Sequence, residues 1–232
     1  MSESAIVTDE PLLLDNLLPT CREALASSDS LLGRAQRAIS ARIAPDGGVD
    51  GALLETEQFA AHGYAWLSTY VEALRQMLDW GERTDKAGQF GEREALMLQA
   101  AYGEYFRQII GGIAMSQGEL FRLVDLNVPP DAIAAFLTNS VGRLAQSGNT
   151  PAVRHRLCEL IAENGFADPA LDDETLGLMQ DQFNRFADEK IAPHCQEWHI
   201  QDELIPLPLV EELSELGVVG LTVPEEYGGL GL

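Results

Sequence analysis

The chain has 232 residues, 46% of them hydrophobic, and a formal net charge of −22. That length and apolar content suffice for one or two packed helical domains and exclude a disordered chain. The charge repels phosphate backbones and anionic lipid surfaces, so nucleic-acid and membrane partners are excluded.

Three scattered cysteines, Cys21, Cys158 and Cys195, do not form a disulfide framework and suit a reducing compartment. The acidic start Met1–Glu10 lacks the basic end and apolar stretch of a signal peptide. No apolar run reaches the roughly eighteen residues a spanning helix needs. The expectation is a cytoplasmic protein.

Along the first half, helical periodicity is interrupted at Pro45-Asp46-Gly47-Gly48, at Ala87-Gly88, and from Gly111-Gly112 to Pro129-Pro130. Three long helices are expected there. Within about residues 53–80, Leu67, Tyr70, Val71, Leu74, Met77 and Leu78 fall on one face as a core stripe. A second row, Trp66, Tyr70, Ala73, Met77 and Trp80, widens the apolar arc, so this helix is central or lies at an interface. The third helix turns Leu98, Tyr102, Tyr105, Phe106 and Ile109 inward and Glu94, Glu104, Arg107 and Gln108 toward water or polar neighbours. Core packing accounts for these aromatics without a cofactor.

After Pro129-Pro130, residues 131–145 and 151–162 read as two shorter helices, with Pro151 in a first turn where its missing amide hydrogen costs nothing. The Asn164–Pro169 segment is the best candidate for a domain boundary. Three regions follow: a helical extension, 1–128; a helical connector, 129–170; and a final block, 171–232. The final block carries two basic and fourteen acidic side chains, a poor setting for the pyrophosphate of coenzyme A or FAD.

In that block Asp172 or Asp173 caps a helix whose Leu176, Met179, Phe183, Phe186 or Ala187, and Ile191 share a face, and Pro193 is expected to end it. A second helix opens near Pro206 and turns Leu209, Val210, Leu213 and Leu216 inward. It closes at Gly217 in a left-handed conformation, and the chain beyond is expected to be extended. In the loop Pro224 stiffens a turn, while Gly228, Gly229 and Gly231 permit positive backbone angles or the close approach of another segment. Tyr227 is expected to be a packing anchor, and Glu225 and Glu226 to be solvated.

Arg185-Phe186-Ala187 with Ile191-Ala192-Pro193, Leu216-Gly217, and Val223-Pro224-Glu225-Glu226-Tyr227-Gly228-Gly229-Leu230-Gly231 stand in the order and spacing of one family. The block resembles the first domain of the acyl-CoA dehydrogenases. The matched positions Arg185, Phe186, Pro193, Gly217, Pro224, Glu225, Tyr227, Gly228, Gly229 and Gly231 are structural in this reading. The extension, with Leu53–Gln58, Trp66, Tyr70–Arg75 and Gly111–Gln117, is similar to that of methylsuccinyl-CoA dehydrogenases.

The resemblance implies an all-α chain: a helical extension followed by the start of the dehydrogenase's helical amino-terminal domain. It implies FAD, an acyl-CoA substrate, electron-transferring flavoprotein as partner, and a homo-oligomer. In this family a glutamate removes the α-proton of the thioester and the flavin takes a hydride from the β-carbon. For the methylsuccinyl member the product is mesaconyl-CoA. The sequence reaches Leu232 inside the glycine motif before any strand-rich segment, which reads as a partial sequence. No catalytic, cofactor or metal residue is assigned within it, and the segment alone is expected to be inactive.

Other chemistries fit less well. His155 with Cys158 and Cys195 with His199 have helical ligand spacing but lack a second cysteine in either pair. No histidine follows a glutamate by three positions, as a di-iron bundle requires. The Gly112–Gly118 segment is too long for a phosphate loop and is followed by Glu119 where a lysine is needed. The competing class is a non-catalytic helical interaction module whose face around Trp66 and Trp80 binds a partner.

Overall fold

A computed structural model describes residues 12–171 and 173–231; the acidic start, Asp172 and Leu232 lie outside the described residues. The fold is all-α, apart from one short antiparallel hairpin. One compact unit ends at Ala170 and a second begins at Leu171.

The first unit is organised by three long helices, α1 (Leu17–Ile43), α3 (Gln58–Lys86) and α4 (Glu92–Gly111), with α2 (Gly51–Thr56) leading into α3. The expected single helix over 53–80 is divided at Glu57. There the backbone leaves helical geometry, and the Glu57 carboxylate meets Arg42, whose guanidinium also donates to the Asp125 carbonyl at 2.8 Å. Asp50 starts α2 by accepting from the amides of Ala52 and Leu53.

The core stripe of α3 is realised: Leu67, Val71, Leu74 and Leu78 are buried against α1 and α4 with Leu31, Leu98, Tyr102 and Phe106. Deep burial makes a satisfied polar tip obligatory, and the Tyr102 hydroxyl donates to the Leu74 carbonyl at 2.9 Å. The second row on α3 is less covered. Trp66, Ala73 and Met77 are half-buried, and Ala73, Met77, Ala101 and Tyr105 line an open, mostly apolar groove of about 530 Å³ between α3 and α4.

Strands β1 (Ile113–Ala114) and β2 (Leu120–Phe121) pair Ile113 with Phe121 and Ala114 with Leu120. This hairpin sets the buried Phe121 ring on α3 at Gly63, where any β-carbon would collide with it. The stretch expected as one helix over 131–145 forms two, α5 (Pro130–Phe136) and α6 (Asn139–Ser147). Thr138 is the reason: its hydroxyl accepts from the Val141 amide and caps α6, which competes with continuing α5. Helix α7 (Pro151–Asn164) begins as expected at Pro151, with Thr150 capping the Val153 amide.

Helix α4 meets the α6–α7 turn backbone to backbone. A β-carbon on Gly103 would lie 2.6 Å from the Asn149 nitrogen and 2.8 Å from the Gly148 carbonyl carbon. Gln99, fully buried beside this crossing, accepts from the Leu14 amide at 2.8 Å and donates to the Leu12 and Gly148 carbonyls. Glu94, one turn earlier, is also buried. Burial alone would raise its carboxyl pKa, but the Arg93 hydrogen bonds and the Gly91 amide hold it below the usual carboxylate range.

In the second unit α8 (Glu174–Phe186) opens on Asp173, which accepts from the amides of Thr175 and Leu176. Pro193 does not end the helix. A π-turn over Ala187–Ile191 precedes α9 (Ala192–Gln201), and the proline falls in the first turn of α9, where no amide hydrogen is required of it. Helix α10 (Leu207–Glu215) ends at Gly217 with φ 84°, the expected left-handed close. Of its expected inward residues Leu209 is buried, whereas Val210 is 43% exposed. The chain after Gly217 is not extended: 3-10 turns occupy Val218–Gly220 and Glu225–Tyr227.

Two alanine substitutions separate packing from propensity. Gly142, inside α6, has open space where a β-carbon would go, so Gly142→Ala should raise unfolding free energy by about 0.5–1 kcal/mol. Gly103→Ala gains the same propensity but forces two backbones apart, and should lower it by about 1–3 kcal/mol. Urea denaturation of the two variants checks the opposite signs, and equal stabilisation would show that the crossing has slack.

Candidate functional site

The glycine loop folds back on the end of α10. The Leu230 amide donates to the Gly220 carbonyl at 2.9 Å and the Gly231 amide to the Val223 carbonyl at 2.9 Å. Pro224 starts the inner turn: its carbonyl accepts from the Tyr227 and Gly229 amides, and the Glu225 carbonyl accepts from Gly228. Gly228 (φ 84°) and Gly231 (φ 65°) occupy the left-handed region. Gly229 serves differently, because a β-carbon there would strike the Val223 carbonyl. The three glycines thus divide between positive angles and close approach.

Gly217, Tyr227, Gly228 and Gly229 line a cavity of about 400 Å³ with Ser214, Val219, Gly220, Val223 and Leu230. Pro224, Glu225 and Gly231 belong to the same loop but do not line it. Arg185, Phe186 and Pro193 lie on the α8–π-turn–α9 run and are not among the lining residues either. The π-turn is tied to α10 through the Lys190–Glu212 ion pair at 3.1 Å. Tyr227 is 77% exposed, so it anchors no packing within its own unit: the 3-10 turn points its ring outward. Glu225 and Glu226 are exposed.

Phosphate-bearing groups need free amides or basic side chains. Every amide from Tyr227 to Gly231 is already donated within the loop, and no lysine or arginine lines the cavity. The basic residues in 171–232 are Arg185 and Lys190, and Lys190 is paired with Glu212. This donor set does not fit a pyrophosphate.

The cysteine and histidine pairs stay apart chemically. His155 faces Glu159 at 3.3 Å, Cys158 is exposed, and the Cys195 thiol donates to the Ala192 carbonyl at 3.5 Å. Among the described residues no three His, Cys, Asp or Glu side chains are grouped to hold a metal. Cys21 is buried, which pushes its thiol pKa well above the ordinary value and disfavours the nucleophilic thiolate. Among the described residues no helix is long and apolar enough to cross a membrane.

Residues 172–232 match the family described as acyl-CoA dehydrogenase, N-terminal domain. The final block thus carries an acyl-CoA dehydrogenase amino-terminal-domain sequence. The chain is 49% identical over 230 residues to the (2S)-methylsuccinyl-CoA dehydrogenase of Cereibacter sphaeroides, a match covering 97% of this chain and 41% of that protein. The benzylmalonyl-CoA dehydrogenase of Aromatoleum aromaticum is 44% identical over 62 residues, 27% of this chain and 16% of its own length. The mitochondrial isovaleryl-CoA dehydrogenase of Solanum tuberosum is 36% identical over 72 residues, 29% of this chain and 16% of its own length. The chain spans about two fifths of the length of the first of these relatives. The benzylmalonyl-CoA match is no longer than the final block, whereas the first takes in nearly the whole chain.

The loop's two kinds of glycine predict two kinds of damage. Gly228→Val places a β-branched residue at positive φ and should destabilise the second unit by about 1–2 kcal/mol. Gly229→Ala should break the Pro224 and Val223 hydrogen bonds together, read as faster hydrogen exchange at the Gly229 and Gly231 amides. Unchanged exchange in Gly229→Ala would show that the loop is merely permissive.

Proposed function

We propose that this chain is the amino-terminal part of an FAD-dependent acyl-CoA dehydrogenase that introduces an α,β double bond into an acyl-CoA thioester, with (2S)-methylsuccinyl-CoA as substrate and mesaconyl-CoA as product. The supporting observation is the extent of similarity: identity to the methylsuccinyl-CoA enzyme runs through 97% of the chain and so includes the extension. The reading includes a division into extension (1–128), connector (129–170) and dehydrogenase segment (171–232). It also includes a cytoplasmic location, a homo-oligomer and electron-transferring flavoprotein as the electron acceptor.

In this reading the residues at 185–231 are scaffolding. Gly217, Pro224 and the three loop glycines fold the strand of chain after α10 into a self-bonded turn, and Arg185, Phe186 and Pro193 belong to the helix beside it. The amides of Tyr227 to Gly231 are used internally, so in this reading that stretch offers no backbone donors to the flavin phosphates. The contribution of 223–231 is shape: a rigid edge for the flavin or acyl side of the subunit.

The test is made on the complete protein containing these residues. Purified enzyme should carry bound flavin, bleach it on addition of (2S)-methylsuccinyl-CoA, and pass the electrons to an electron-transferring flavoprotein. Bleaching by isovaleryl-CoA but not by methylsuccinyl-CoA would move the substrate within the family. A flavin-free, inert protein would remove the enzymatic reading. In the same preparation Gly228→Val should lower flavin retention along with stability, and full retention in a destabilised variant would separate the loop from the flavin site.

A further inference from the structure

The last residues of the first unit are held down by side chains from two helices. From α3, the Trp80 indole nitrogen donates to the Asp168 carbonyl at 2.9 Å and the Arg83 Nε to the Ala170 carbonyl at 3.1 Å. From α4, Arg93 donates to the carbonyls of Asn164 and Gly165 at 3.1 and 3.0 Å. Ala167 and Ala170 pack on the main core, and the Asp168 carboxylate accepts from the Ala170 amide at 2.7 Å. An ordinary loop would satisfy these carbonyls with water at no cost in side-chain order.

The held segment is also strained. Ala170 sits at φ 51°, a left-handed angle that a β-carbon disfavours and that glycine, asparagine or aspartate would take more readily. Its hydrogen bonds to Arg83 and Asp168 fix that angle, so letting go relaxes the backbone while clamping loads it. Phe166 is 86% exposed, so the segment is not held by burying its largest side chain. Polar donors and two small alanines do the holding, a set that buries little apolar area and is reversible at modest cost.

We propose that residues 165–170 form a releasable strap, clamped by Trp80, Arg83 and Arg93, that sets how much free chain joins the helical extension to the dehydrogenase segment. Clamped, the joint offers little slack. Released, the six residues add at most about 20 Å of extended chain. The chain that follows the first unit therefore has two available lengths, set by whether the clamp is closed.

Limited chymotrypsin digestion of the complete protein containing these residues, with mass spectrometry of the product ending at Phe166, measures the released fraction, because cleavage requires the open form. Wild type should be cut after Phe166 well below the rate of a free peptide spanning residues 160–172. Trp80→Phe with Arg83→Gln removes two donors and should speed that cut roughly tenfold, the effect of two modest hydrogen bonds. Ala170→Gly removes the strain and should slow it several-fold. If circular dichroism shows that the double variant has lost helix, Arg83→Gln alone is set against Ala170→Gly. Opposite shifts support the strap; cleavage of wild type at the peptide rate, or equal rates in Arg83→Gln, wild type and Ala170→Gly, overturns it.

Discussion

The close passage of α4 over the α6–α7 turn is the contact on which the first unit is built. Two helical backbones normally stay 8–10 Å apart because side chains stand between them. Gly103 and Gly148 remove those side chains, and the approach brings the Gln99 amide within reach of Gly148 and of the chain entering α1. One buried glutamine then satisfies carbonyls and an amide from separate parts of the sequence, which are costly to leave unpaired once water is excluded. With α4 fixed from that side, its other face presents Leu98, Tyr102 and Phe106 to α1, α3 and α5, and the apolar core closes around it.

The arginines explain how so acidic a chain holds together. With 15 basic against 37 acidic side chains, its cations are scarce. Several are spent inside the fold on carbonyls that helix ends leave unpaired. Arg107 donates to Ala145, Gln146 and Asn149 at the end of α6, and Arg93 to Asn164 and Gly165 at the end of α7. Others bridge helices: Arg22 to Glu82, Arg75 to Asp29, Arg156 to Glu92. The Arg156 hydrogen bond holds Glu92 below the usual carboxylate range. A cation donating to a helix end or to a carboxylate is poorly placed to receive a phosphate.

What the sequence disclosed follows from what is local. Periodicity located the long helices and the buried row of α3, and proline and glycine punctuation located Pro151 at the start of α7 and the left-handed Gly217. The internal breaks escaped because periodicity is blind to phase-preserving interruptions. Apolar residues continue through Glu57, whose departure from the helix depends on Arg42 fifteen residues back. Pro193 misled for a related reason, since a π-turn of one extra residue lets a helix pass a proline, and no residue type announces it. The hairpin is only two residues per strand, and its anchor, Phe121 on Gly63, is a pairing across 58 positions of sequence. In the loop the positive angles of Gly228 and Gly231 were readable from residue type, whereas the outward Tyr227 depends on the 3-10 turn before it.

The two units differ in how their order is maintained. Helices of the first are buried along whole faces, so packing sustains them far beyond what propensity supplies. In the second, Leu209 alone among the described residues is buried, while Leu178, Ile200, Leu204, Ile205, Leu207 and Val219 each stand more than 60% exposed. Its helices are specified locally, by the Asp173 cap, by prolines in first turns and by left-handed glycines at the exits. Such signals decide where helices start and stop, but each is worth only about 0.5–2 kcal/mol, too little to order a unit of this size unaided. The local code of the dehydrogenase segment is thus complete while its burial is not, and a surface that apolar is stable in water only when another apolar surface covers it.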